Sequence, residues 1–153
     1  MEHPGLRVCR DMPWLGGSPD GILTTPDGHR GVLEIKCPYG RQLYPSVPEH
    51  YWCQVQLCMF LFECDFTHFV VMTPDVTEVT RIEYDSQFVE NRLLPGIHDF
   101  FFNMYLPSLL RLERGELAEG SVCPAMDVCL DFPLHLSNVC NSDSDSDSAG
   151  PDE

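Results

Sequence analysis

The sequence predicts an α/β (α+β) fold, a small mixed sheet flanked by helices. Three observations predict it. Two short apolar runs straddle a turn signal within residues 21–37. The apolar period then switches to three and four residues over 49–64. Two β-branched and aromatic runs follow, and after them a long helical stretch. The order strand, strand, helix, strand, strand, long helix fits one layered domain in a chain of 153 residues.

Residues 1–13 show no clear periodicity. The runs 21–25 and 31–37 flank Thr25-Pro26-Asp27-Gly28, which has Pro and Gly where a tight turn wants them, so they read as a β-hairpin. Residues 38–48 hold three prolines, Gly40 and Ser46, and read as a loop. Over 49–64, Tyr51, Val55, Cys58, Met59 and Phe62 make one apolar helical face. The strand 67–73 stops at Pro74-Asp75. In 78–84, Val79, Arg81 and Glu83 share one face and Thr80, Ile82 and Tyr84 the other, so the two runs pair antiparallel. Ser86 is placed to cap a helix that continues to about Arg114, interrupted near Pro95 and Pro107 and ended by Gly115 and Gly120. No internal repeat stands out. The expected division is an N-terminal segment (1–13), a core (14–114) and an acidic, largely disordered tail (115–153).

The formal net charge of −15 argues against coating nucleic acid or an anionic membrane through charge alone. The charge is uneven: residues 113–153 carry −9 and residues 1–112 only −6. Of nine basic residues, eight are Arg and one is Lys36. The Ser-Asp run in the tail reads as a solvating end and as a substrate for an acidophilic kinase. No apolar run is long enough to span a membrane, and the start lacks the regions of a secretory signal. The expected location is therefore intracellular, nuclear or cytoplasmic, and not secreted. None of the eight cysteines stands in a Cys-x-x-Cys pair, and they read as reduced thiols rather than zinc ligands or disulfides.

Chemistry concentrates in two stretches, Ser18-Pro19-Asp20-Gly21 and Leu33-Glu34-Ile35-Lys36-Cys37. In a strand, Glu34 and Lys36 share a face while Leu33, Ile35 and Cys37 take the other, and the apolar set is the one expected to face the core. Two charges inside an apolar strand cost desolvation energy unless they are paired or bind something. Asp20 opens the preceding strand and can approach Glu34. Two convergent carboxylates suit a hard divalent cation, Mg²⁺ or Mn²⁺, and a neighbouring lysine can hold a water or offset charge on a phosphorane-like transition state. The chemistry suggested is metal-dependent phosphodiester hydrolysis. The plainer reading of Glu-x-Lys is a solvated ion pair on a strand face.

Ser18-Pro-Asp20-Gly, Leu33-Glu34-Ile-Lys36-Cys37-Pro38-Tyr39 and Tyr51-Trp-Cys-Gln54-Val-Gln56-Leu-Cys-Met59 together resemble the lambda-exonuclease / YqaJ-type viral recombinase branch of the PD-(D/E)XK nucleases, from about Leu15 to Leu110. The resemblance implies a restriction-endonuclease-like core and a metal-dependent DNA exonuclease acting on duplex ends in viral-type recombination or DNA processing. It implies Asp20, Glu34 and the Ile35 main-chain carbonyl as metal ligands. It also implies Lys36 at the nucleophilic water, Gln54 orienting water, Lys36 or DNA, and Ser18 as a weaker phosphate contact. Tyr51 reads as helix packing, and Gln56, two residues from Gln54, faces elsewhere. As partners it implies double-stranded DNA ends, further copies of the chain in a ring and a single-strand annealing protein, with no membrane.

Family members carry a helical region ahead of the Ser-Pro-Asp-Gly motif, whereas seventeen residues precede Ser18 here. His3, Arg7, Arg10 and Asp11 are the polar groups in that span, and none matches the family's upstream roles. The chain accordingly reads as a fragment, one product of a split gene or a degenerate copy. Two alternatives follow: an inactive or incomplete nuclease-fold module that binds DNA ends or a partner, and an acidic interaction protein that uses its tail.

Overall fold

The computed structural model describes residues 1–39 and 43–116. The acidic tail, from residue 117, and Gly120 lie outside the described residues, as do residues 40–42 of the loop.

The hairpin forms as the turn signal dictates. Strand β3 (Gly21–Thr24) pairs antiparallel with β4 (Arg30–Lys36), Gly21 opposite Leu33 and Thr24 opposite Arg30. The Gly28 N–H donates to the Thr25 carbonyl at 2.9 Å, and Gly28 takes a φ of 91° that favours glycine. Ahead of it β1 (Arg7–Val8), inside the stretch that lacks periodicity, pairs antiparallel with β2 (Gly16–Gly17), just past it. Glu2 also bridges to Ile22 through both main-chain bonds, which sets the first residues beside β3.

From β4 the chain crosses over through helix α1 (Glu49–Phe62) to β5 (Phe66–Met72), which lies parallel to β4 with Glu34 opposite Phe69. A parallel partner demands such a crossover. Strand β6 (Thr77–Glu83) returns antiparallel, so the sheet order is β3-β4-β5-β6 and the sheet is mixed, as expected.

Helix α1 buries Val55, Cys58, Met59, Leu61 and Phe62 against one sheet face, where Ile22, Val32, Phe69, Val71 and Ile82 meet it. The core therefore takes the even-numbered side of β4, with Val32 fully buried and Glu34 only 3% exposed. The odd-numbered set was expected inside, yet Ile35 is 38% exposed and Cys37, one residue past the strand, is exposed. Alternation fixes which residues share a face; the side on which the crossover helix lands decides which face is covered. On the open side one corner is closed from within. The Phe66 ring lies where a Cβ on Gly31 would sit, and the Arg81 guanidinium stacks 3.8 Å from the ring centroid.

The expected split of β6 holds, with Ile82 buried and Val79 and Arg81 outward. Gln56 does face elsewhere than Gln54. It is wholly buried, donating to the Glu83 carbonyl and accepting from the Asp85 N–H, both at 2.9 Å, which ties α1 to the end of β6.

The long helix begins one residue earlier than the Ser86 cap implies. Asp85 is the cap, its Oδ1 accepting from the Phe88 N–H at 2.9 Å. The prolines do not interrupt it. Ser86–Phe88, Leu94–Phe100 and Leu106–Glu113 are α-helical, and Val89–Leu93 and Phe101–Tyr105 between them are wider π turns. The N–H groups of Leu94 and Leu106, each just before a proline, reach five residues back to Val89 and Phe101. A proline lacks its N–H and crowds the carbonyl four residues back; widening the turn moves that carbonyl aside. The pattern Asn91-x-x-Leu94-Pro95 recurs as Asn103-x-x-Leu106-Pro107, a twelve-residue repeat that the hydrophobic pattern alone does not reveal. Among the described residues no helix is long and apolar enough to cross a membrane.

Candidate active site

The even side of β4 carries Glu34 and Lys36 beneath the first half of α1, and Gln54 descends from that helix onto both. Lys36 Nζ donates to Glu34 Oε1 at 2.5 Å and to Gln54 Oε1 at 3.1 Å, and Gln54 Nε2 donates to Glu34 Oε1 at 2.8 Å. The three side chains close a triangle. The ion pair is largely withdrawn from water, with side-chain exposures of 18% for Lys36 and 4% for Glu34. The solvated-pair reading of Glu-x-Lys therefore does not describe it.

One oxygen is left over. Glu34 Oε2 is buried and meets no hydrogen-bond donor among the described residues. A buried polar group left unsatisfied costs about 1–3 kcal/mol, more when charged. Asp20 stands at the mouth of β3, exposed, its Oδ2 accepting from the Ile35 N–H at 2.7 Å. That bond clamps Asp20 to β4 just past the end of the β3–β4 ladder. In an extended strand a residue's N–H and carbonyl leave on the same edge, so the Ile35 carbonyl also points to Asp20's side. Ser18 is exposed in the link between β2 and β3, two residues ahead of Asp20 and outside the hydrogen-bonded triangle.

The donor set fits a hard cation: an orphaned carboxylate oxygen, a second carboxylate and a main-chain oxygen. Among the described residues no cluster of three or more His, Cys, Asp or Glu side chains forms a cage. A sparse oxygen set of this kind suits Mg²⁺, which binds through one or two carboxylates and keeps several waters. Beneath the triangle, burial and then the Glu34 charge push the Cys58 thiol up to about 12, so it is an inert core group.

The structure thus brings Glu34, Lys36 and Gln54 into direct contact, sets Asp20 and Ile35 beside them, and leaves Ser18 at the rim. Tyr51 was read only as packing. Its ring lies 4.4 Å from Lys36 Nζ. The signal was present in the sequence: Tyr51 precedes Gln54 by three residues and so shares its helical face. His3 was not matched to a role, and its Nδ1 lies 3.0 Å from the Asp20 carbonyl.

A hairpin, a crossover helix and a parallel strand, with an acidic residue at the hairpin mouth and Glu-x-Lys in the next strand, make up a core whose fold is shared with solved exonuclease structures. The sequence resemblance is borne out: residues 2–65 match the YqaJ-like viral recombinase domain, a span that includes Asp20, Glu34, Lys36, Tyr51 and Gln54. Two crystal structures of the alkaline exonuclease LHK-Exo from Laribacter hongkongensis share the fold. The complex with dAMP matches with a TM-score of 0.57 at 23% identity, over 76% of this chain and 63% of that one. The second structure of that enzyme matches with a TM-score of 0.57 at 22% identity, over 77% of this chain and 63% of that one. The chain thus spans less than two thirds of the length of those exonucleases. No curated protein matches it significantly.

Proposed function

We propose that this chain is a Mg²⁺-dependent deoxyribonuclease of the exonuclease type, hydrolysing phosphodiester bonds at duplex DNA ends in viral-type recombination or DNA processing. The observation that carries the reading is the buried Glu34 Oε2, which lies outside the triangle closed on Oε1 and has no hydrogen-bond partner among the described residues, on the strand whose Ile35 N–H clamps Asp20. Asp20, Glu34 and the Ile35 carbonyl would hold the cation, with Mn²⁺ an acceptable substitute. When bound, it supplies charge neutralisation and Lewis acidity for phosphodiester hydrolysis.

The remaining work falls to the chain's own groups. Lys36 and Gln54 both occupy Oε1, which fixes the carboxylate plane and turns Oε2 outward from the triangle. The Ile35 N–H engages one Asp20 oxygen and leaves the other for the site. Lys36 carries the one positive charge of the cluster, suited to hold an attacking water and to offset charge on the phosphorane-like transition state. Gln54 keeps Lys36 and Glu34 in register, and Ser18 meets a phosphate at the rim. Duplex ends are the expected partner. A ring of copies and a single-strand annealing protein are further proposals resting on the family resemblance alone.

The test is nucleotide release from linear duplex DNA with Mg²⁺. Release by the parent is expected to stop with EDTA and to fall by about 10²–10⁴-fold in Lys36→Ala and Glu34→Gln. A folded parent that binds duplex ends and releases nothing overturns the reading in favour of a silent end-binding module.

A further inference from the structure

Lysine has a long, flexible stem, and fixing its ammonium at one point costs rotamer entropy. Glu34 Oε1 and Gln54 Oε1 use two of its three donors. Those two contacts leave the amine free to swing about the line joining them. The Tyr51 ring closes that freedom, with its centroid 4.4 Å from Nζ. The ring is itself braced. It packs on Phe69 at 5.7 Å, and Phe69 is fully buried and sits opposite Glu34 on β5. Its other neighbours are Tyr44 at 5.7 Å in an edge arrangement and His50 at 4.1 Å. One helix therefore presents a polar contact and an aromatic face to the same amine, one turn apart.

We propose that Tyr51 is a positioning residue, whose ring face, braced from the sheet by Phe69, holds the Lys36 ammonium in its place between Glu34 and Gln54. The proposal rests on the nuclease reading for its effect on rate, but not for the placement itself. The ring face does the holding, while the hydroxyl interacts with Tyr44 rather than Lys36, so Tyr51→Phe keeps the function and Tyr51→Leu, which keeps most of the apolar bulk, loses it.

Lys36 is the only lysine in the chain, so lysine-selective isotope labelling yields a single side-chain signal. In the parent the Lys36 ε-methylene protons are expected upfield of a free lysine because they lie over the ring. The shift should persist in Tyr51→Phe and vanish in Tyr51→Leu. For nucleotide release, kcat should fall about 10-fold in Tyr51→Leu with KM for duplex ends unchanged, and stay within about 2-fold of the parent in Tyr51→Phe.

An unshifted Lys36 signal in the parent overturns the proposal without any variant being needed. So does full kcat in Tyr51→Leu when the parent is active and Lys36→Ala is not; in that case the nuclease reading stands. If the parent releases no nucleotide, that reading fails separately. A ring-dependent shift in parent and Tyr51→Phe then still supports the placement.

Discussion

The two faces of the four-stranded sheet each carry an ion pair, one buried and one exposed. Under α1 lie Val32, Thr67, Phe69 and Val71 together with a buried carboxylate and its lysine. On the open side, Ile35, Met72 and Val79 are 38%, 43% and 56% exposed. The Glu34–Lys36 pair sits among buried apolar groups, while the exposed Arg81–Glu83 pair shares its face with half-exposed aliphatic groups. A buried ion pair with one unmatched oxygen adds little to stability, and the covered face holds it because the aromatic and aliphatic groups around it carry the packing. The two faces therefore divide labour. One supplies both the core and the proposed site, and the other tolerates exposure.

The largest effect that could break this comparison is truncation in the covered face. Phe69→Ala is expected to lose about 3–5 kcal/mol in denaturant unfolding, and Ile35→Ala on the open face about 1 kcal/mol or less. Equal losses would mean that the open face is covered in solution. A second contrast lies within α1, between two glutamines two residues apart. Gln56→Ala strips partners from the Glu83 carbonyl and the Asp85 N–H and should cost about 2 kcal/mol in the same measurement. Its specific nuclease activity should stay near that of the parent, whereas Gln54→Ala should lower activity with little change in stability.

The smallest effect belongs to the hairpin tip, which neither face controls. His29 Nδ1 lies 3.0 Å from Asp65 Oδ2. That hydrogen bond raises His29 above its ordinary value near 6.5 and holds Asp65 below its ordinary 3.8. The His29 contribution is complete below pH 6.5 and fades as pH rises through the raised value. The Asp65 contribution is complete above 3.8 and fades as pH falls through the lowered one. Amide exchange at the tip, corrected for its intrinsic pH dependence, should therefore be slowest between those values. It should lose this dependence in His29→Gln. Both groups are exposed, so the change is small.

Much of this was legible in the sequence, for local reasons. Thr25-Pro26-Asp27-Gly28 can hardly be anything but a turn, the shared face of Glu34 and Lys36 follows from strand parity, and Asp20 follows from the hairpin. The resemblance to the YqaJ-type family added Gln54, the roles of these residues and the kind of core. Misreadings arose where a distant element decides. Which side of β4 is inside depends on where α1 lands. Tyr51 packs on the core as its spacing implies, but its contact with Lys36 depends on the strand reaching across. Leu94-Pro95 and Leu106-Pro107 look like helix breaks until wide turns are allowed for, and Asp85 competes with Ser86 for the same cap one residue away.

The wide turns have a geometric consequence. Each absorbs one residue beyond the α-helical complement, so a twelve-residue step advances like eleven, which at 3.6 residues per turn is about three whole rotations. Asn91 and Asn103, Leu94 and Leu106, and Pro95 and Pro107 thus return to the same compass bearing, and both prolines lie exposed. The rod is graduated like a ruler. Each mark adds about 17 Å of helix and brings the same face back to the same bearing.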